Sequence, residues 1–172
     1  IVLCLLGFFF INKLFLLIFF AANVFHVTRQ SFGVCKLYCK DSSEKKFQEI
    51  FIYIFNLIFF IIGYLRFYVS IIDENNIFFI NIFIISSLLL INIIYLIKFG
   101  VSENFLTFVT GCLIFYPICF VNNPVHAIIM GVTMHYTQYI YLTYNVCKFR
   151  SENSEPKDTL FFSKKIYNYF VV

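Results

Sequence analysis

The chain is short of charge. Only 13% of its 172 residues are Asp, Glu, Lys or Arg, about half the share of an ordinary soluble domain. That excludes a soluble globular protein with a solvated surface. Histidine is scarce too, with three in all, and none stands in HExxH spacing. Tryptophan is absent. There is no Walker loop, no GxGxxG, no GxSxG, and no carboxylate pair within an apolar run. The nine acidic residues fall mostly in turns and tails. Nucleotide binding, serine hydrolysis and two-carboxylate acid–base chemistry therefore have no visible machinery. The enzyme question stays open, and no cofactor is identified.

What the chain has instead is apolar length. Hydrophobic residues make up 61% of it, in runs long enough to cross a bilayer, which takes roughly 20 residues as a helix. The expected fold is all-α, a polytopic transmembrane helix bundle. Five spans are read at about 2–25, 47–72, 77–98, 104–121 and 126–147. The 26 phenylalanines are read as AT-rich coding expressed on lipid-facing surface, not as an aromatic pocket. The opening "IVLCLLGFFFINKLFLLIFF" lacks the charged start and small-residue cleavage site of a signal peptide. It reads as a span. Because the chain begins with Ile1 and ends on "FFSKKIYNYFVV", it reads as a piece of a longer protein. Residues 1–149 form the expected transmembrane domain and 150–172 a tail, or the start of a further span.

Charge orders these spans. The expected loop 27–46 holds Arg29, Lys36, Lys40, Lys45 and Lys46, and the third connection has Lys98 at its edge. The segment 148–165 holds Lys148, Arg150, Lys157, Lys164 and Lys165. The alternate turns "DENN" and "NNP" have no basic residue. Eleven of 13 basic residues thus fall on one side, with Lys13 and Arg66 the exceptions. The positive-inside rule makes that side cytoplasmic. Topology accounts for the net charge of +4, so no nucleic-acid partner is needed. The expected partners are the lipid bilayer, and beyond it a lipophilic small molecule or other membrane subunits.

Polar residues inside the spans are the candidate functional groups, because they are expensive there. His135 falls near mid-membrane, and with Gln138, Tyr139 and Asn145 it lies on one face of the fifth helix. Counting outward from the turns sets this face opposite Gly111 and Cys112 of the fourth. His135, Gln138, Cys112, Tyr139 and Asn145 form the candidate site, with His135 the one serious metal ligand. Asn56 and Asn92 reach similar depth and form a secondary polar pair, expected to hydrogen-bond across the hairpin of the second and third helices. Pro117 should kink the fourth helix. Asn123 and Pro124 should cap and start the fifth, leaving His126 at the outer surface. Cys35 and Cys39 with His26 make at most three zinc-type ligands at unusual spacing. Lys13 falls inside the first apolar run, where it either snorkels or marks a misjudged helix start.

These features support three readings. One is an intramembrane site centred on His135 for a metal, a cofactor or a lipophilic substrate. Another is a transporter-like protein. The third is a structural or assembly subunit whose polar residues hold helices together.

Overall fold

The computed structural model describes residues 12–39, 41–101 and 103–153, and the side chains of all of these except 74, 75, 103 and 150–153. The described chain is all-α. Its helices are α1 (Asn12–Tyr38), α2 (Ser42–Phe67), α3 (Glu74–Phe99), α4 (Glu103–Leu113) and α5 (Pro124–Asn153), with a 3-10 turn at Tyr116–Cys119 between the last two. Three of them, α1, α2 and Asn76–Phe99 within α3, are long and apolar enough to cross a membrane. The chain divides into two compact units, Ile1–His135 and Tyr136–Val172. Residues 2–11 of the expected first span, Lys40, and the expected tail from 154 onward lie outside the described residues.

The expected loop 27–46 is mostly helix. Nothing between Val27 and Tyr38 breaks one: there is no proline, and the only glycine is Gly33. The buried residues Phe20, Val24, Val27, Ser31, Val34 and Cys35 recur every three or four positions, so one continuous stripe faces the core. Arg29 and Lys36 are exposed, and their charge disguises the stripe as a loop. The connection shrinks to 39–41. The second helix likewise begins five residues before its expected start. Asp41 caps it, with Oδ1 accepting from the Ser43 amide at 3.1 Å. The two hydrogen bonds from Ser43 hold the Asp41 carboxyl below its usual range.

α1 and α2 run antiparallel in close contact. Gly63 allows this, since a Cβ there would lie 2.7 Å from the Phe20 ring. With Phe20 beside Gly63, Lys13 seven residues earlier comes level with about Ser70, past the end of α2. Lys13 is exposed at that level. α4 packs on both helices through Gly111, whose missing Cβ would meet Ser31 Oγ and Ile52 at 3.0 Å. α3 buries Ile77, Ile84, Leu88 and Tyr95, one narrow stripe at seven- and four-residue spacing. Gly100 ends it with φ 78°, a left-handed conformation that suits glycine, and donates its amide to Leu96 O at 2.9 Å.

The fourth expected span is broken, not kinked. Pro117 has no amide to give the carbonyl of Leu113, four residues back, and α4 ends at Leu113. The chain continues as a 3-10 turn, with Ile118 N bonded to Phe115 O at 3.0 Å. The start of α5 is as expected. Asn123 Oδ1 accepts from Val125 N at 2.8 Å, and Pro124 takes the first helical position.

Candidate functional site

The residues singled out by sequence do not gather into one site within either unit. Cys112 and His135 belong to the first unit and are both buried. Gln138, Tyr139 and Asn145 belong to the second, where Gln138 is buried, Asn145 half-buried and Tyr139 exposed. Of the strip expected to face His135, Gly111 looks onto Ser31 of α1 and Ile52 of α2. What packs against the first part of α5 is Phe115. A Cβ on Gly131 would come within 2.5 Å of its ring.

Asn56 and Asn92 take different partners. Asn56 Nδ2 donates to Ile52 O at 2.8 Å and to Gly111 O of α4 at 3.0 Å. Asn92 Nδ2 donates to Leu88 O of its own helix at 2.8 Å. The expected bond between them is replaced by one tie from α2 to α4. The close approach of Gly111 puts its carbonyl within reach, which counting depth along α2 and α3 alone could not reveal.

The cysteine pair is also committed elsewhere. Cys35 Sγ donates to Thr107 O at 3.3 Å, and Cys39 Sγ to Gln48 Oε1 at 3.1 Å. Burial pushes the Cys39 thiol up to about 12, and the Glu44 carboxylate adds to the shift. It is therefore a protonated donor, not a ready thiolate ligand. His26 is exposed on α1. Among the described residues no three His, Cys, Asp or Glu side chains come together as a metal-holding set.

A polar cluster that the sequence reading missed lies where α1, α2, α3 and α4 meet. Its centre is Glu44, buried in the first turn of α2. Glu44 Oε1 accepts from the Tyr95 hydroxyl, from Asn104 Nδ2 at 3.1 Å and, at 3.5 Å, from Gln48 Nε2. Gln48 Nε2 also donates to the Tyr95 oxygen at 3.1 Å. Tyr95 and Gln48 are wholly inaccessible. Aromatic rings wall the cluster, with Tyr95 stacked on Phe108 at 4.9 Å and Phe47 at 5.9 Å from both rings. Lys98 lies over Phe47 and Phe99 at 5.9 and 5.1 Å. One signal pointed here. Glu44, Gln48, Ile52, Phe55, Phe59 and Ile62 share a face of α2, but placing the helix start at 47 left Glu44 in a loop.

A second polar tie stands at the opposite end. Arg66 Nη1 donates to Ile118 O at 2.8 Å, and Nη2 to Asn122 Oδ1 at 2.6 Å. The break at Pro117 frees carbonyls from helical bonding, and the guanidinium serves one of them. From Glu44 to Arg66 is 22 residues of helix, about 33 Å at 1.5 Å each, close to the roughly 30 Å of a hydrocarbon core.

In comparisons with known proteins, no family model, no curated protein and no solved structure matches this chain.

Proposed function

We propose that the chain is a multi-pass integral membrane protein of structural or assembly type, whose buried polar side chains tie helices together. The observation that carries the membrane reading is the exposed surface of α3. Phe78, Phe79, Phe83, Leu89, Leu90 and Ile97 are each more than half exposed on one helix. Scattered apolar residues are ordinary on a soluble surface, but a contiguous apolar helix flank of this size is not. α4 and the 3-10 turn supply a fourth crossing. Asn104 meets Glu44, Gly111 meets Asn56, and Ile118 meets Arg66, so this segment runs the whole height of α2. α5, about 45 Å long at helical rise, supplies the fifth. The end bearing Lys36, Lys45, Lys46 and Lys98 is cytoplasmic by the positive-inside rule.

The structural reading is favoured over a transport path because Gln48, Asn56, Arg66, Tyr95 and Asn104 spend donors on neighbouring segments. Hydrogen bonds of this kind hold membrane helices in register. The test of embedding is alkaline carbonate extraction of membranes carrying the protein. It should stay with the bilayer pellet, and release into the supernatant would contradict the reading.

A further inference from the structure

An apolar groove of about 360 Å³ runs along the outside of the α1–α2 hairpin. Ala21, Phe25 and Thr28 of α1 and Tyr53, Leu57 and Phe60 of α2 line it. Its walls offer almost no polar surface, so water gains little by filling it, whereas a hydrocarbon chain meets carbon on both sides. Phe32, one turn past Thr28, lies edge-on to Tyr53 at 6.2 Å.

The helical phase carries both lining faces on toward the 39–41 connection. On α2, Lys46 is seven residues before Tyr53 and falls on the same side. On α1, Lys36 is one turn beyond Phe32. Because the helices are antiparallel, the two lysines come to about the same level. Both are exposed. Arg29, one turn past Phe25, is a third exposed cation on this flank, and Lys45 flanks the connection half-buried. Arg29 is level with Ile54 inside the groove's length, whereas Lys36, Lys46 and Glu49, one turn before Tyr53, lie beyond the lining residues and together leave net positive charge above the apolar slot. An amphiphile with an anionic head and a hydrocarbon tail is complementary to that order of groups. Lysine at this depth meets the phosphate level while its stem lies along apolar surface.

We propose that this groove holds one acyl chain of an anionic phospholipid, with the phosphate between Lys36 and Lys46. The proposal rests on the membrane reading above, and its test separates the two. Since the chain has no tryptophan, a single introduced one reports on its own surroundings. Leu57→Trp places the probe in the groove, at a position 57% exposed, and Phe83→Trp places it on the bare flank of α3, at 72% exposed. Each variant is reconstituted into phosphatidylcholine vesicles containing a minor fraction of phosphatidylglycerol. Bromine is carried on the acyl chains of one lipid or the other as quencher.

Quenching of the Leu57→Trp probe should show phosphatidylglycerol enriched by about fivefold over its mole fraction, the bias expected of even one lysine near an anionic head. The Phe83→Trp probe should follow mole fraction. Adding Lys36→Gln and Lys46→Gln should abolish the enrichment at Leu57→Trp. Equal enrichment at both probes, none at Leu57→Trp, or enrichment that survives loss of both lysines overturns the proposal. Failure of either brominated lipid to quench Phe83→Trp overturns the membrane reading instead.

Discussion

A polar side chain in a span has to be assigned a partner before it is assigned a role. Asn56 and Asn92 make the point, because the sequence treats them alike and the structure does not. Asn56 joins two helices, and Asn92 bonds back to its own. Asn56→Ala should therefore lower stability by about 1 kcal/mol, in the range measured for hydrogen bonds between membrane helices. Asn92→Ala should change it far less, since its amide ties no second helix. Thermal unfolding of both variants in one detergent checks the difference. Two equal shifts would mean that the tie to Gly111 contributes nothing. Residue type and depth were legible in the sequence here. The partner was not, because it depends on how closely α4 approaches, and that is set by the glycine at 111.

Among the elements, glycines decide which helices touch. Gly131 presses its bare Cα against Phe115, a ring with no exposed surface and nowhere to move. Gly33 has nothing within 4 Å of where its Cβ would be. The same substitution should then have opposite signs. Gly131→Ala should destabilise by about 1–3 kcal/mol through overpacking. Gly33→Ala should stabilise by up to about 1 kcal/mol through helix propensity. Unfolding midpoints in detergent measure both, and a stabilising Gly131→Ala would contradict the packing of α5 on Phe115.

Helix ends were read correctly where the chemistry is local, as at Asn123–Pro124. They were misread where tertiary burial overrides a local signal. The charges at Arg29 and Lys36 read as loop, yet a buried stripe on the far face keeps α1 helical to Tyr38. Glu44 was hidden the same way, since a carboxylate next to two lysines looks solvated until Tyr95 and Asn104 are seen to reach it. Pro117 was read as a kink. Its missing amide instead ends α4 outright, and Arg66, an apparent exception to the charge pattern, bonds the chain beyond the break.

For the molecule as a whole, two polar layers lie about 33 Å apart by helical rise along α2. One is the Glu44 cluster with its aromatic wall, and the other is Arg66 with Asn122. Between them the exposed surface of α3 is dominated by Phe, Ile and Leu, and the exposed Ser86 hydroxyl bonds back to Ile82 O. In the proposed arrangement a bilayer occupies this interval, with the lysine-rich layer on the cytoplasmic side. Ser43 and Ile71 are exposed at opposite ends of α2. Cysteines 35, 39, 112 and 119 are buried, so replacing Cys4 and Cys147 by alanine leaves a quiet background. In sealed, oriented vesicles, a membrane-impermeant thiol reagent should label Ser43→Cys only from the cytoplasmic face and Ile71→Cys only from the other. Labelling of both from the same face would contradict the account.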